Sequence, residues 1–161
     1  MPQIAAGFMP VESYERINEI KMGQNKLSLW VHLVWGVKKR RHLIHEEAKQ
    51  ILYSKVLEVC ESKGYDVVEM NGMPDHVHIL LRLHPTHSIS EIVKNIKGST
   101  STWLNHQIEM EEYFEWQDGY GAFSVSSYKV GAVIKYIQNQ QQHHANNDFD
   151  TEMKFLNSFS Q

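Results

Sequence analysis

The chain has 161 residues, 42% hydrophobic and 22% charged, enough for one globular domain with a real core. Its apolar runs, such as residues 27–37 and 79–81, are too short to span a bilayer, and a net charge of −3 argues against coating nucleic acid by bulk charge alone. The single cysteine, Cys60, excludes an internal disulfide framework and makes a reducing cytoplasm the simplest compartment.

Residues 1–25 are mixed and partly helical in composition. They have no basic start before their apolar part and carry Glu12 and Glu15 early, so they do not read as a signal peptide. We treat them as an N-terminal extension, with residues 26–161 as a single domain. Residues 26–37, KLSLWVHLVWGV, read as a buried strand. A basic loop follows: Lys38, Lys39, Arg40, Arg41 and His42. Across residues 45–63, Ala48, Ile51, Leu52, Val56, Val59 and Cys60 recur at helical spacing, and Gly64 ends that helix. Residues 65–70 read as a second strand, Asn71-Gly72 as a hairpin-type turn and residues 75–83 as a third strand. Ser88 with Glu91 forms a capping box opening a helix whose stripe is Ile89, Ile92, Val93, Ile96, Trp103 and Leu104. Acidic residues gather away from the basic loop in sequence, at Glu109, Glu111, Glu112 and Glu115. Residues 121–126 read as a fourth strand. Residues 128–143 read as a helix with Val130, Val133, Ile134 and Ile137 inward, and an amphipathic tail carries Phe149, Phe155, Leu156 and Phe159. The order β-α-β-β-α-β plus a helix predicts an α+β, ferredoxin-like antiparallel sheet. Its two crossover helices cover one face and leave the other for a site or a partner.

Side chains alternate along a strand, so His76 and His78 share one face while Val77, Ile79 and Leu81 face the helices. His32 is in phase with Trp30 and Val34 on the first strand, which neighbours the third in such a sheet. Two imidazoles two residues apart are a natural start to a metal site, but two ligands rarely suffice, and the pattern alone equally fits half-buried polar residues. Tyr136 and Gln140, four residues apart, share a helix face, with His143 near the same side. Such pairs are common on any helix, yet these two side chains have the reach to meet a metal held by the histidines. Imidazoles alone favour zinc, copper or nickel.

Taken together, DHVH on a strand and YIQNQ on a later helix resemble the HUH single-tyrosine transposases of the insertion sequence 200/605 family. VHLVWGVKKR, NGMPDHVHIL, IVKNIKGSTSTWLN, FEWQDGYGAFSVS and QHH followed by Phe149, Glu152, Phe155 and Leu156 resemble successive parts of the same family, over about residues 26–159. The resemblance implies that His76, His78 and Gln140 hold a divalent metal, Mg²⁺ or Mn²⁺, and that Tyr136 attacks a phosphodiester in single-stranded DNA to form a 5′-phosphotyrosine and release a 3′-hydroxyl. It implies a homodimer whose active sites are shared between subunits and hairpin-bearing DNA ends as substrate. Phosphate contacts are expected at Lys38, Lys39, Arg40, Arg41 and Lys97. Lys129 and Lys135 flank Tyr136 and suit phosphate or solvent equally. Asp75 is placed to orient a histidine, and His143 and His144 to support the site. Most of the four tryptophans suit core packing better than base stacking. Three other readings share these residues. One is a domesticated DNA-binding regulator of the same fold, against which the intact catalytic pattern argues. The second is a metal-binding module with no nucleic-acid role. The third is the related transposase type that acts at repeated extragenic palindromes.

Overall fold

Trp30–Gly36 forms β1, and all seven of its residues are buried, because it runs down the middle of the sheet with both faces covered. β1 pairs antiparallel with β3 (His76–Arg82) on one side and β4 (Gly121–Val125) on the other. β2 (Asp66–Met73) lies outside β3, giving the order β2-β3-β1-β4 with every neighbour antiparallel. This is the expected ferredoxin-like arrangement. The computed structural model describes residues 26–144 and 149–158. The expected extension at 1–25 and Phe159 of the tail lie outside the described residues.

Helix α1 (Glu46–Lys63) begins at His45, whose Nδ1 accepts from the Ala48 amide at 3.4 Å, and ends at Gly64 with φ 69°, a left-handed conformation that glycine adopts without a Cβ clash. Helix α2 (Ile89–Gln107) starts where expected, with Ser88 Oγ accepting from the Glu91 amide at 3.3 Å. Both helices pack on one face of the sheet, burying Leu52, Val56, Ile92 and Ile96 against Leu33, Val77, Ile79 and Leu81. Cys60 is part of this core, and burial pushes its thiol up to about 12. At pH 8 the folded protein is expected to resist thiol alkylation and to react fully once unfolded, as mass spectrometry before and after denaturant checks.

Four details differ from the sequence expectation. The hairpin turn falls at Pro74 and Asp75, with Met73 opposite His76, and Asn71 and Gly72 lie inside β2. The strands approach so closely there that a Cβ on Gly72 would stand 2.2 Å from the His76 carbonyl oxygen, so glycine serves the pairing rather than the turn. Trp103 is 38% exposed, because at this end of α2 it meets the Lys55 ammonium of α1, 4.4 Å from its ring centre, rather than the core. The acidic segment is not remote from the basic loop. Val37 bridges to Trp116 and the Gln117 amide donates to the Gly36 carbonyl at 2.9 Å, so backbone pairing brings Glu115 to Lys38 (2.8 Å) and Glu112 to Arg41.

The fourth difference concerns the free face and the long final helix. Residues 128–143 divide into a 3₁₀ turn at Ser127–Lys129, α3 (Val130–Gln138) and α4 (Gln140–His144), broken at Asn139. Val130 and Ile137 of α3 pack with Trp30, Val68 and Leu80 on the second face of the sheet. Helix α5 (Phe149–Ser158) closes over the same side, with Leu156 7% exposed. The second face is thus a roofed chamber, and His76 and His78 are both 0% exposed.

Candidate active site

The chamber is lined from five elements of the chain. β3 supplies His76 and His78, β1 supplies His32, α3 and α4 supply Tyr136 and Gln140, and α5 supplies Glu152. Strand alternation puts both β3 histidines on the roofed face, while Val77, Ile79 and Leu81 enter the helical core as expected.

Each β3 histidine has its Nδ1 occupied from behind. His76 Nδ1 meets Asp75 Oδ1 at 2.6 Å, and Asp75 is in turn paired with Arg40 at 2.8 Å. His78 Nδ1 meets His32 Nε2 at 2.9 Å, the two rings stacking with centroids 5.1 Å apart. Both imidazoles therefore turn Nε2 toward one point, and the Glu152 carboxylate lies there. Its Oε2 is 3.3 Å from His76 Nε2 and its Oε1 is 3.2 Å from His78 Nε2. One ligand atom from each of His76, His78 and Glu152 lies within 4.8 Å of the others, a group able to hold a metal ion. Two donors each about 2.1 Å from a small divalent ion and at right angles around it sit about 3 Å apart, close to the spacings found.

The Tyr136 hydroxyl donates to Glu152 Oε1, and its ring stands edge-on to His78 at 5.9 Å and to His32 at 6.1 Å. The carboxylate thus joins the phenol to both imidazoles. Gln140 is fully buried one helical turn from Tyr136, with Nε2 donating to the Tyr136 carbonyl at 3.5 Å and Oε1 without a hydrogen-bond partner among the described residues. A buried amide oxygen left over in a chamber that holds two imidazoles and a carboxylate suits a cation.

The electrostatics follow from burial and these contacts. Burial, then the neighbouring His78, lowers His32 to about 3, so it stays neutral. Burial opposes charge on Glu152, but hydrogen bonds to His76 and His78 hold it far below the usual carboxylate range. Burial also opposes charge on His76, yet its bonds to Asp75 and Glu152 raise it above an ordinary histidine. Tyr136 is raised by burial first and then by the bond to Glu152 and its charge, while Gln140 acts the other way. Without a cation the chamber thus keeps the phenol protonated.

The end of α3 is fixed from β2. Asn71 Nδ2 donates to the carbonyls of Ile137 (2.9 Å) and Gln138 (3.1 Å), Lys49 Nζ donates to Asn71 Oδ1 at 3.0 Å, and Gln138 Nε2 donates to Glu69 Oε2 at 2.7 Å. Orphan carbonyls at a helix end need such partners, and here they also set the position of Tyr136.

A family model described as "Transposase IS200 like" matches residues 25–140. The chain belongs to the IS200-like transposase family. The ISDra2 transposase TnpA of Deinococcus radiodurans is 30% identical to this IS200-like chain over 128 residues, covering 76% of this chain and 91% of the relative. The transposase for insertion sequence element IS200 of Salmonella typhimurium is 28% identical over 90 residues, or 56% of this chain and 59% of the relative. A crystal structure described as a transposase from Deinococcus radiodurans R1 superposes with a TM-score of 0.59 at 26% identity, covering 75% of this chain and 98% of that one. A REP-associated tyrosine transposase bound to a REP hairpin shares the fold, with a TM-score of 0.58 at 16% identity over 79% of this chain and 74% of that one. The resemblance in the sequence to this family is borne out, and with it the α+β fold.

In this IS200-like chain His76, His78, Gln140 and Tyr136 enter one chamber, and Tyr136 meets the histidines of its own chain. Arg40 reaches the chamber's edge, with NH2 3.4 Å from His76 Nδ1. Lys38, Lys39 and Arg41 lie outside it, and Lys97 Nζ is committed to the carbonyls of Gln117 (2.6 Å) and Gly119 (3.0 Å), where it braces the loop before β4. Glu152 and Glu69 carry no role in the sequence reading, and Asn71 enters it only as part of a turn. Glu152 lies beyond the matched residues 25–140, in the C-terminal stretch whose sequence resembles the family, three residues after Phe149 and four before Leu156, a helical face that marks it as inward. Among the described residues no helix is long and apolar enough to cross a membrane.

Proposed function

We propose that this transposase cuts and rejoins single-stranded DNA through a covalent bond between Tyr136 and a 5′ phosphate, in a site that binds a divalent cation, Mg²⁺ or Mn²⁺. The observation carrying this reading is the single carboxylate, Glu152, that touches the Tyr136 hydroxyl and both histidine Nε2 atoms. In cleavage the Tyr136 phenolic oxygen bonds to phosphorus and the bond from phosphorus to the 3′ oxygen breaks. The phenolic proton passes to solvent, and the departing oxygen takes a proton from solvent and leaves as a 3′-hydroxyl. Rejoining reverses the exchange with another 3′-hydroxyl. The tyrosine ester conserves the phosphodiester bond, so the reaction needs no nucleotide cofactor.

The cation would be held by His76 and His78 with oxygens from Glu152 and Gln140, a mixed donor set harder than imidazole alone. When bound, it supplies polarisation of the phosphoryl oxygen and positive charge that favours the phenolate. Asp75 acts from behind, fixing His76 so that Nε2 faces the site. Asp75→Asn is expected to weaken Mn²⁺ binding by roughly 10–100-fold, as calorimetry checks.

Arg40 at the chamber's edge, with Lys38, Lys39 and Arg41 on the basic loop outside it, would meet the phosphates of an incoming strand. The exposed pairs of Lys38 with Glu115 and Arg41 with Glu112 are weak enough to exchange carboxylate for phosphate. Lys97 contributes by bracing the 117–119 loop. One nucleophilic tyrosine per chain means that joining two ends takes two copies, hence a homodimer. The reading is tested with labelled single-stranded DNA from the flanks of the protein's own gene. The expected product is a covalent protein–DNA adduct that forms with Mn²⁺, fails with EDTA and maps to Tyr136 by peptide mass spectrometry. Hairpin binding without an adduct would instead favour the silent regulator.

A further inference from the structure

Strand pairing sets His32 beside the histidine pair. Val34 of β1 stands opposite His78, and His32 stands opposite Leu80 on one side and Phe123 of β4 on the other. His32 and His78 are therefore diagonal neighbours on one face of the sheet, a separation that aromatic side chains bridge. His32 is 2% exposed, and its two partners across the sheet are apolar. An apolar side chain would fill such a position without desolvation cost, whereas a buried imidazole needs a hydrogen bond to offset it. His32 makes that bond to His78, Nε2 to Nδ1 at 2.9 Å, with the rings stacked at an interplanar angle of 28°. His76 is backed differently, by the Asp75 carboxylate, whose charge Arg40 already matches. Behind His78 an imidazole supplies an acceptor without placing another negative charge near Glu152.

We propose that His32 is a positioning residue for the cation site: its Nε2 accepts the Nδ1 proton of His78 and so leaves the His78 Nε2 lone pair free for a divalent cation. The inference rests on the reading of His78 as a cation ligand. A neutral imidazole has one N–H and one lone pair, and a single hydrogen serves the contact between the two rings. Were that hydrogen on His32, the His78 proton would sit on Nε2, facing Glu152, and that nitrogen could not bind a cation. With the hydrogen on His78, the hydrogen bond and the ligand lone pair exist together, since the bond made by one ring nitrogen sets the state of the other. The contact fixes the ring as well as the tautomer. Rotation about the bond to a histidine ring is broad and roughly two-fold, so an imidazole without a partner turns over and takes Nε2 away from the site.

The test compares the full-length protein with His32→Phe and His32→Gln. Phenylalanine keeps a flat ring against His78 and removes the acceptor. Glutamine carries an amide oxygen about as far out as Nε2 and restores it. Mn²⁺ binding, followed by electron paramagnetic resonance, is expected to weaken roughly 10–100-fold in His32→Phe, the usual effect of removing the group behind a metal-bound histidine. It should stay near the wild-type value in His32→Gln. In ¹H–¹⁵N spectra of the Mg²⁺-loaded protein, His78 is identified as the signal missing from His78→Gln. Its proton should sit on Nδ1 in the wild type and in His32→Gln and divide between the two nitrogens in His32→Phe, a readout that packing alone would not move. A His78 proton on Nε2 in the loaded wild type overturns the inference, even where His32→Phe does not fold. Equal weakening in both variants with the His78 tautomer unchanged overturns it too, and leaves His32 as a packing residue. Wild-type Mn²⁺ affinity in His32→Phe overturns it while the loss of binding in His78→Ala keeps His78 as a ligand. Mn²⁺ binding that survives in His78→Ala overturns the ligand and its positioning residue together.

Discussion

Tyr136→Phe is expected to lower covalent adduct formation by about 10⁴-fold or more while leaving hairpin binding within about twofold, because it removes the attacking oxygen and little else. The phenylalanine ring keeps the edge contacts to His78 and His32 and the contact to Phe155, whose centroid lies 6.3 Å away. Glu152 keeps its two histidine partners. Loss of one hydrogen bond to a charged group should cost about 1.5–3 kcal/mol of stability at most, so the variant stays folded. Denaturant unfolding alongside adduct gels checks both halves. Persistent adduct in the folded variant would move the nucleophile to another side chain.

The second large effect concerns the cation. His76→Ala and His78→Ala should each abolish Mn²⁺ binding, measured by electron paramagnetic resonance. Glu152→Gln should weaken it at least about tenfold, or about 1.4 kcal/mol, because the carboxylate's charge is lost while the shape remains. Deleting a histidine also leaves the buried Glu152 carboxylate short of a partner, and breaking such a pair costs about 3–5 kcal/mol. The glutamine variant avoids that penalty and is the cleaner probe. Unchanged Mn²⁺ affinity in Glu152→Gln, with loss in both histidine variants, would remove Glu152 from the ligand set and leave the histidines in it. Tighter binding in Glu152→Gln would show that the carboxylate competes with the cation.

Local periodicity made much of this site legible. Alternation on a strand was enough to put His76 and His78 on one face and to bring His32 beside them. Helical spacing put Tyr136 and Gln140 together, and their relation survives the break at Asn139. What stayed hidden depends on contacts between distant segments. Nothing local says that Glu152 returns over the sheet, because that depends on how α5 packs. Asn71-Gly72 has the composition of a turn, but its glycine serves a tight strand approach and its asparagine caps α3, 66 and 67 residues further along. The acidic run reads as separate from the basic loop until the Val37–Trp116 bridge draws them together.

The distribution of the site along the chain has a consequence for synthesis. His32 emerges from the ribosome first, the β3 pair next, the phenol after that, and the carboxylate of α5 only after every strand of the sheet has been made. Translation therefore delivers the sheet before the chamber's last wall. A polypeptide arrested after residue 144 carries the β3 imidazoles and the tyrosine but not the carboxylate that touches all three, so the chamber closes only with the last helix to be made.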